Sequence, residues 1–142
     1  MNEPKHRILV VDDAATVRLY HRKILGDAGW HTAEATNGIE ALEQVHAQPD
    51  AQPFDLYVVD INMPRMDGYA FVRALRRLDG RHQAPVLMVS TEARSPDVGQ
   101  AFEAGANAYL VKPARPEAMR LTAALLLGDR AVALQAAQRG QA

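Results

Sequence analysis

Four apolar runs of the chain each stop at a residue able to do chemistry: residues 8–11 at Asp12 and Asp13, 56–59 at Asp60, 86–89 at Ser90, and 108–111 at Lys112. If the runs are parallel strands of one sheet, their carboxyl ends lie side by side, in the crevice where open α/β sheets bind ligands. Three carboxylates gathered there repel one another, so without a cation at least one of them has a raised pKa. A hard divalent ion relieves the repulsion, and an all-oxygen site that keeps several waters suits Mg²⁺, at about 2.0–2.1 Å per ligand. Coordination positions left open can take substrate oxygens, phosphate above all. Lys112 adds a point positive charge and Ser90 a hydroxyl donor. Charge in a transferring phosphoryl group spreads over its equatorial oxygens, so metal, ammonium and hydroxyl can stabilise it together. Asp60 ends the central run and is the best-placed nucleophile, able to accept the group as an aspartyl phosphate.

The segments between the runs have helical period. Residues 14–28 place Val17, Tyr20, Ile24 and Ala28 at three- and four-residue steps, and Gly29 stands where a helix closes in left-handed conformation. Residues 38–47 carry Ile39, Leu42 and Val45 on one stripe, and residues 69–78 carry Phe71, Val72, Leu75 and Leu78. Residues 31–35 alternate only partly and form a weaker fifth strand. Strands alternating with helices argue for right-handed βα units feeding a parallel sheet, a doubly wound α/β sandwich with helices on both faces. The segment 48–53, with two prolines, reads as a surface loop. Beyond Pro116, Met119, Leu121, Ala124, Leu125 and Leu126 predict a last helix that Gly128 ends or weakens. The expected domain is residues 1–127. Residues 128–142 are left open between a frayed extension of the last helix or flexible tail, a short extra helix, and a partner-binding segment.

Composition narrows the function classes. A chain of 142 residues suits one domain, and its apolar residues are dispersed with no run of the length a membrane span needs. The charged start, residues 1–7, lacks the apolar stretch of a secretory leader, and the absence of cysteine excludes disulfides and thiolate-held metal. Both fit a cytoplasmic protein. A net charge of −1 with intermixed signs provides no basic face for nucleic acid; Arg73, Arg76, Arg77 and Arg81 read as a solvated helix end. His6, His21, His31, His46 and His82 lack metal-ligand spacing and read as solvated or capping residues. Trp30 is expected to pack at the end of the first helix remote from Asp12.

Taken together, Val11-Asp12-Asp13, the stretch Val59-Asp60-Ile61-Asn62-Met63-Pro64-Arg65-Met66-Asp67-Gly68, Val89-Ser90-Thr91-Glu92-Ala93 and Tyr109-Leu110-Val111-Lys112-Pro113 resemble the receiver domain of two-component response regulators, most closely the single-domain chemotaxis type. The resemblance runs from about residue 7 to 127. It implies a flavodoxin-like fold with strand order 2-1-3-4-5 and Asp60 as phosphoacceptor. It also implies Mg²⁺ on the Asp13 and Asp60 side chains and the Asn62 carbonyl, with Asp12 reaching the ion directly or through water. Ser90 and Lys112 would contact the phosphoryl group, Lys112-Pro113 is a candidate cis peptide, and Asn62 and Glu92 would tune access of water to the acyl phosphate. Tyr109 resembles a rotor that turns from solvent toward the core when Ser90 moves, reshaping the face built by the helix at 96–104, the last strand and the last helix.

The implied partners are a sensor histidine kinase or histidine phosphotransfer domain and a downstream protein docking on that face, with neither nucleic acid nor membrane, the chain being a monomer or weak dimer. This reading makes the protein a switch that loses its own phosphoryl group, not an enzyme acting on a separate substrate. Two alternatives stand beside it. One is a scaffold that keeps the fold without phosphorylation. The other is an aspartyl-phosphate phosphatase, weakened because Asn62 stands where such enzymes place a second acid/base aspartate.

Overall fold

A computed structural model describes residues 5–140; residues 1–4 of the expected domain, and 141 and 142 of the tail, lie outside them. Five strands, β1 (Arg7–Val11), β2 (His31–Ala35), β3 (Leu56–Val59), β4 (Val86–Ser90) and β5 (Ala108–Val111), form one parallel sheet in the order β2-β1-β3-β4-β5. Between and after them run α1 (Ala15–Asp27), α2 (Gly38–Ala47), α3 (Gly68–Arg76), α4 (Ser95–Ala104), α5 (Pro116–Leu127) and α6 (Arg130–Gly140). This is the flavodoxin-like sandwich, with a 3₁₀ turn at Gly80–His82 ahead of β4.

The strands read as uninterrupted apolar runs because alternate residues feed two cores. Ile8, Val10, Leu56, Val58, Leu87 and Val89 face α1 and α5. Leu9, Val11, Tyr57, Val59, Val86 and Met88 face α2, α3 and α4. β2 lies at the sheet edge with only Ala35 fully buried, which explains its weak alternation in the sequence.

Three expectations change. In α1 the buried stripe is His21, Ile24 and Leu25, while Tyr20, expected to face inward, is exposed and donates its hydroxyl to Ala114 O at 3.2 Å. His21 is therefore a core residue, neither solvated nor capping; burial pushes its imidazole down to about 4, so it is neutral at physiological pH. Arg76, grouped with a solvated helix end, is a half-buried clamp. Its guanidinium donates to Gly105 O at 2.8 and 3.0 Å, Ala84 O at 2.8 Å and Asn107 Oδ1 at 2.9 Å. Asn107 Oδ1 also accepts from Val86 N at 2.9 Å, so α3, the start of β4 and the α4–β5 turn are tied at one point. Gly105 sits there at φ 122, and a Cβ on it would come within 2.7 Å of Arg76 Cγ.

Within the tail, Arg130–Gly140 form the helix α6. Gly128, at φ 75, closes α5 in left-handed conformation, and α6 folds back instead of extending α5. Asp129 fixes the turn twice: Oδ1 accepts from Val132 N at 3.2 Å, and Oδ2 accepts from Trp30 Nε1 at 3.0 Å. Ala136, on α6, is buried. No helix among the described residues is long and apolar enough to cross a membrane.

The clamp at Arg76 gives a direct test. Arg76→Leu keeps the apolar stem but leaves Gly105 O, Ala84 O and Asn107 without their charged donor. A loss of roughly 2–4 kcal/mol in unfolding free energy is expected, read from urea denaturation with an unchanged m-value. An unmoved midpoint would mean that Arg76 is a solvated side chain after all.

Candidate phosphoacceptor site

The carboxyl ends of β1, β3, β4 and β5 meet as the sequence requires. Asp12 N donates to Ala35 O at 3.1 Å and Asp60 N to Val11 O at 2.8 Å, so both aspartates occupy the last rungs of the sheet ladder. Asp12 is 2% exposed; its Oδ1 accepts from Ala14 N at 2.9 Å as α1 begins, and its Oδ2 accepts from Lys112 Nζ at 2.7 Å. Lys112 Nζ also lies 3.3 Å from Asp60 Oδ1, which accepts from Ile61 N at 2.9 Å. Asp13 is exposed at the rim. One oxygen from each of Asp12, Asp13 and Asp60 lies within 4.8 Å of the others.

The loop after Asp60 doubles back tightly. Gly68 N donates to Ile61 O at 2.8 Å, and a Cβ on Gly68 would stand 2.2 Å from Asp60 O, so only glycine fits. Asp67 then caps α3, its Oδ1 accepting from Ala70 N at 2.8 Å. The Lys112-Pro113 peptide is cis.

Glu92 connects the remaining expected residues. Its N donates to the fully buried Ser90 Oγ at 3.2 Å, its backbone O accepts from Tyr109 Oη at 2.6 Å, and its Oε1 accepts from Asn62 Nδ2 at 3.4 Å. Tyr109 is half-buried and packs against the α2-α3-α4 core, and the Glu92 carbonyl gives its phenol a partner at the cleft edge. Burial raises the Tyr109 pKa, keeping that donor protonated.

Charge at the site is unbalanced. Burial, then the Asp12 carboxylate, push the Asp60 pKa up, against the lowering pull of Lys112 and the Ile61 N–H. Burial acts to lower the Lys112 pKa, but its hydrogen bond to Asp12 and the two carboxylates outweigh this and raise it, so the ammonium stays charged. Three carboxylates against one ammonium form an oxygen donor set with surplus negative charge, compatible with Mg²⁺.

Arg18 belongs to this region and escaped the sequence reading. It donates through Nη1 to Asp12 O at 2.8 Å and through Nε to Glu34 Oε1 at 2.7 Å, bracing the Asp12-Asp13 corner from β2; Arg22 also pairs with Glu34. Its place on α1 was visible, but Glu34 becomes its partner only through the β1–β2 register. The five histidines stay dispersed, although His46 and His82 stack edge-on at 6.1 Å.

The family model described as the response regulator receiver domain matches residues 8–124. The chain belongs to this family. It is 42% identical over 108 residues to the chemotaxis protein CheY of Pseudomonas aeruginosa, covering 75% of this chain and 84% of that one. It is 33% identical over 123 residues to CheY1 of Helicobacter pylori, covering 86% and 97%. The solved chemotaxis response regulator CheY4 of Vibrio cholerae superposes with a TM-score of 0.79 at 33% identity, covering 87% of this chain and all of that one. The protein is thus a CheY-like receiver domain of two-component signalling, a family of phosphoacceptor switches that work between histidine kinases and downstream targets.

The raised Asp60 pKa carries a sign. Because the folded pKa lies above the unfolded one, Asp60 contributes stability below about pH 4 that is lost as pH rises through the folded value. At neutral pH without divalent ion its charge is therefore a net cost to this receiver. Asp60→Asn is expected to unfold at a higher urea concentration than wild type at pH 7, with a lead that shrinks on acidification toward pH 4. A variant less stable than wild type at pH 7 would contradict this assignment of the electrostatics.

Proposed function

We propose that the protein is a response regulator that accepts a phosphoryl group on Asp60 from a phosphohistidine of a sensor kinase or histidine phosphotransfer domain. The observation that carries this is the cluster itself: Asp12, Asp13 and Asp60 within 4.8 Å, with Lys112 Nζ 2.7 Å from Asp12 and 3.3 Å from Asp60. In the transfer an Asp60 oxygen forms the new O–P bond as the N–P bond of the donor breaks, and the imidazole leaves and takes up a proton. Asp12, Asp13 and Asp60, with the Asn62 carbonyl, would hold Mg²⁺. Bound there, the ion offsets charge on the phosphoryl oxygens.

Lys112 neutralises one further oxygen, and the Ile61 N–H and Lys112 fix Asp60 Oδ1, limiting the reorganisation the nucleophile must undergo. Ser90 is the hydroxyl that meets the transferred group. Its movement would free Glu92 N, and through Glu92 the change reaches Tyr109 and α4. Asn62 and Glu92, joined at the rim, would set how water reaches the acyl phosphate and give it a lifetime of minutes or less.

Output is by docking on the face of α4, β5 and α5, in a chemotaxis effector or a phosphorelay shuttle of the cytoplasm. Phe102, Val111 and Leu125, one on each of those elements, are exposed large apolar side chains suited to such contact. The phosphatase reading is disfavoured by Asn62, an amide donating to Glu92, where an acid/base carboxyl would be needed.

Incubation with acetyl phosphate and Mg²⁺, followed by intact-mass measurement, should add one phosphoryl group to wild type and none to Asp60→Ala. Chelation of Mg²⁺ should abolish the gain, and removal of the phosphodonor should reverse it within minutes. Absence of any gain in wild type would favour the scaffold reading.

A further inference from the structure

The α5–α6 hairpin builds a second polar site at the opposite end of α1. Asp12 precedes that helix and Asp27 ends it, so its 13 residues separate the two places by about 20 Å. Around Asp27 and Ala28, α5 and α6 enclose a cleft of about 250 Å³ whose polar lining is Asp27, Arg120, Gln135 and Arg139. The family match ends at residue 124, so the α6 side of the cleft lies outside it.

Arg120 is the unusual group. Its side chain is only 14% exposed, its carboxylate neighbour Glu117 stands 3.6 Å from Nη2, and its buried Nε has no hydrogen-bond acceptor. A guanidinium withdrawn from water with an unpaired N–H is costly, and a shift of the side chain that turns this covered Nε–H to an acceptor in the cleft recovers that cost. Arg139, exposed on the last turn of α6, brings a second guanidinium to the same cleft, and Gln135 brings an amide. Three opposing charges must be overcome, the first being the Glu117 carboxylate already beside Arg120 Nη2. Asp27 is offset by Lys23, whose Nζ lies 3.6 Å from Oδ2. The carboxyl end of α1 adds partial negative charge, so an anion would need both arginines.

We propose that this cleft binds a compact phosphate-bearing anion, inorganic phosphate or a small phosphomonoester, clamped between Arg120 of α5 and Arg139 of α6. A tetrahedral oxyanion offers enough acceptors to meet two planar guanidinium forks and an amide at once, which a carboxylate does not. The cleft volume falls below the roughly 300–1,000 Å³ of sites for drug-sized ligands, which favours a small anion over a nucleotide.

The test is a titration of the full chain with inorganic phosphate in Mg²⁺-free buffer, with chloride holding ionic strength constant and the arginine Nε–H resonances followed by NMR. The Arg120 and Arg139 signals should shift saturably in the low millimolar range, in wild type and in Asp60→Ala alike. Arg139→Gln, a change at an exposed position that spares the fold, should weaken binding about tenfold or more, as should Arg120→Gln if that variant folds. Glycerol 3-phosphate in place of phosphate should give the same shifts. Absence of saturation, equal binding of acetate, or binding that survives Arg139→Gln and is lost in Asp60→Ala would each overturn the proposal, the last by locating the anion in the phosphoacceptor cleft.

Discussion

The repulsion among Asp12, Asp13 and Asp60 is the constraint around which the rest of this receiver is arranged. Their oxygens come within 4.8 Å at a partly desolvated sheet edge, where like charges interact far more strongly than in water. Left alone, the cluster would drive the strand ends apart or take up a proton. Lys112 counters this by reaching Asp12 and Asp60 together from the end of β5, two strands away from β3 across β4 in chain order and in space. Its ammonium leaves the balance negative, and burial first, then the Asp12 carboxylate, hold the Asp60 pKa raised.

Holding such a cluster demands stiff surroundings. The ladder bonds of Asp12 and Asp60, the Asp12 side chain on Ala14 N and the Arg18 brace on Asp12 O fix the acidic corner from three directions. On the other side, Gly68 packs against the Asp60 carbonyl so closely that any side chain would expel the loop. Glu92 differs in kind. Its amide, carbonyl and carboxylate contact Ser90, Tyr109 and Asn62 respectively, so displacement of this one residue alters three others. These contacts form a physical network of the sort through which a local charge change can reach a distant face.

How far the site was legible in the sequence depended on the range of the interaction. Asp60, Asp12, Asp13, Ser90 and Lys112 were readable because each follows an apolar run, and parallel pairing brings such ends together whatever the helices do. Tyr20 and His21 were misread because neighbouring positions on α1 differ by only one step of rotation, and the packing of α5 decides which one faces the sheet. Arg76 resembled its exposed neighbours Arg73 and Arg77; only the approach of Gly105, Ala84 and Asn107 from later elements makes it a clamp. The tail likewise showed its break at Gly128, but the Trp30–Asp129 bond, 99 residues apart, is what anchors the turn.

The sequence by itself determined the alternation of strands and helices, the residues standing at the strand ends, and through their motifs the family. Those features follow from local period and from residue types that no other fold position needs. Tertiary structure alone decided the partners of Arg18 and Arg76, the neutral burial of His21, the hydrogen bond of Tyr109 to Glu92 and the cleft beside α6. Each rests on a contact between elements distant in sequence, and hydrogen bonds and burial of that kind exist only once the sheet register and helix packing bring the atoms together.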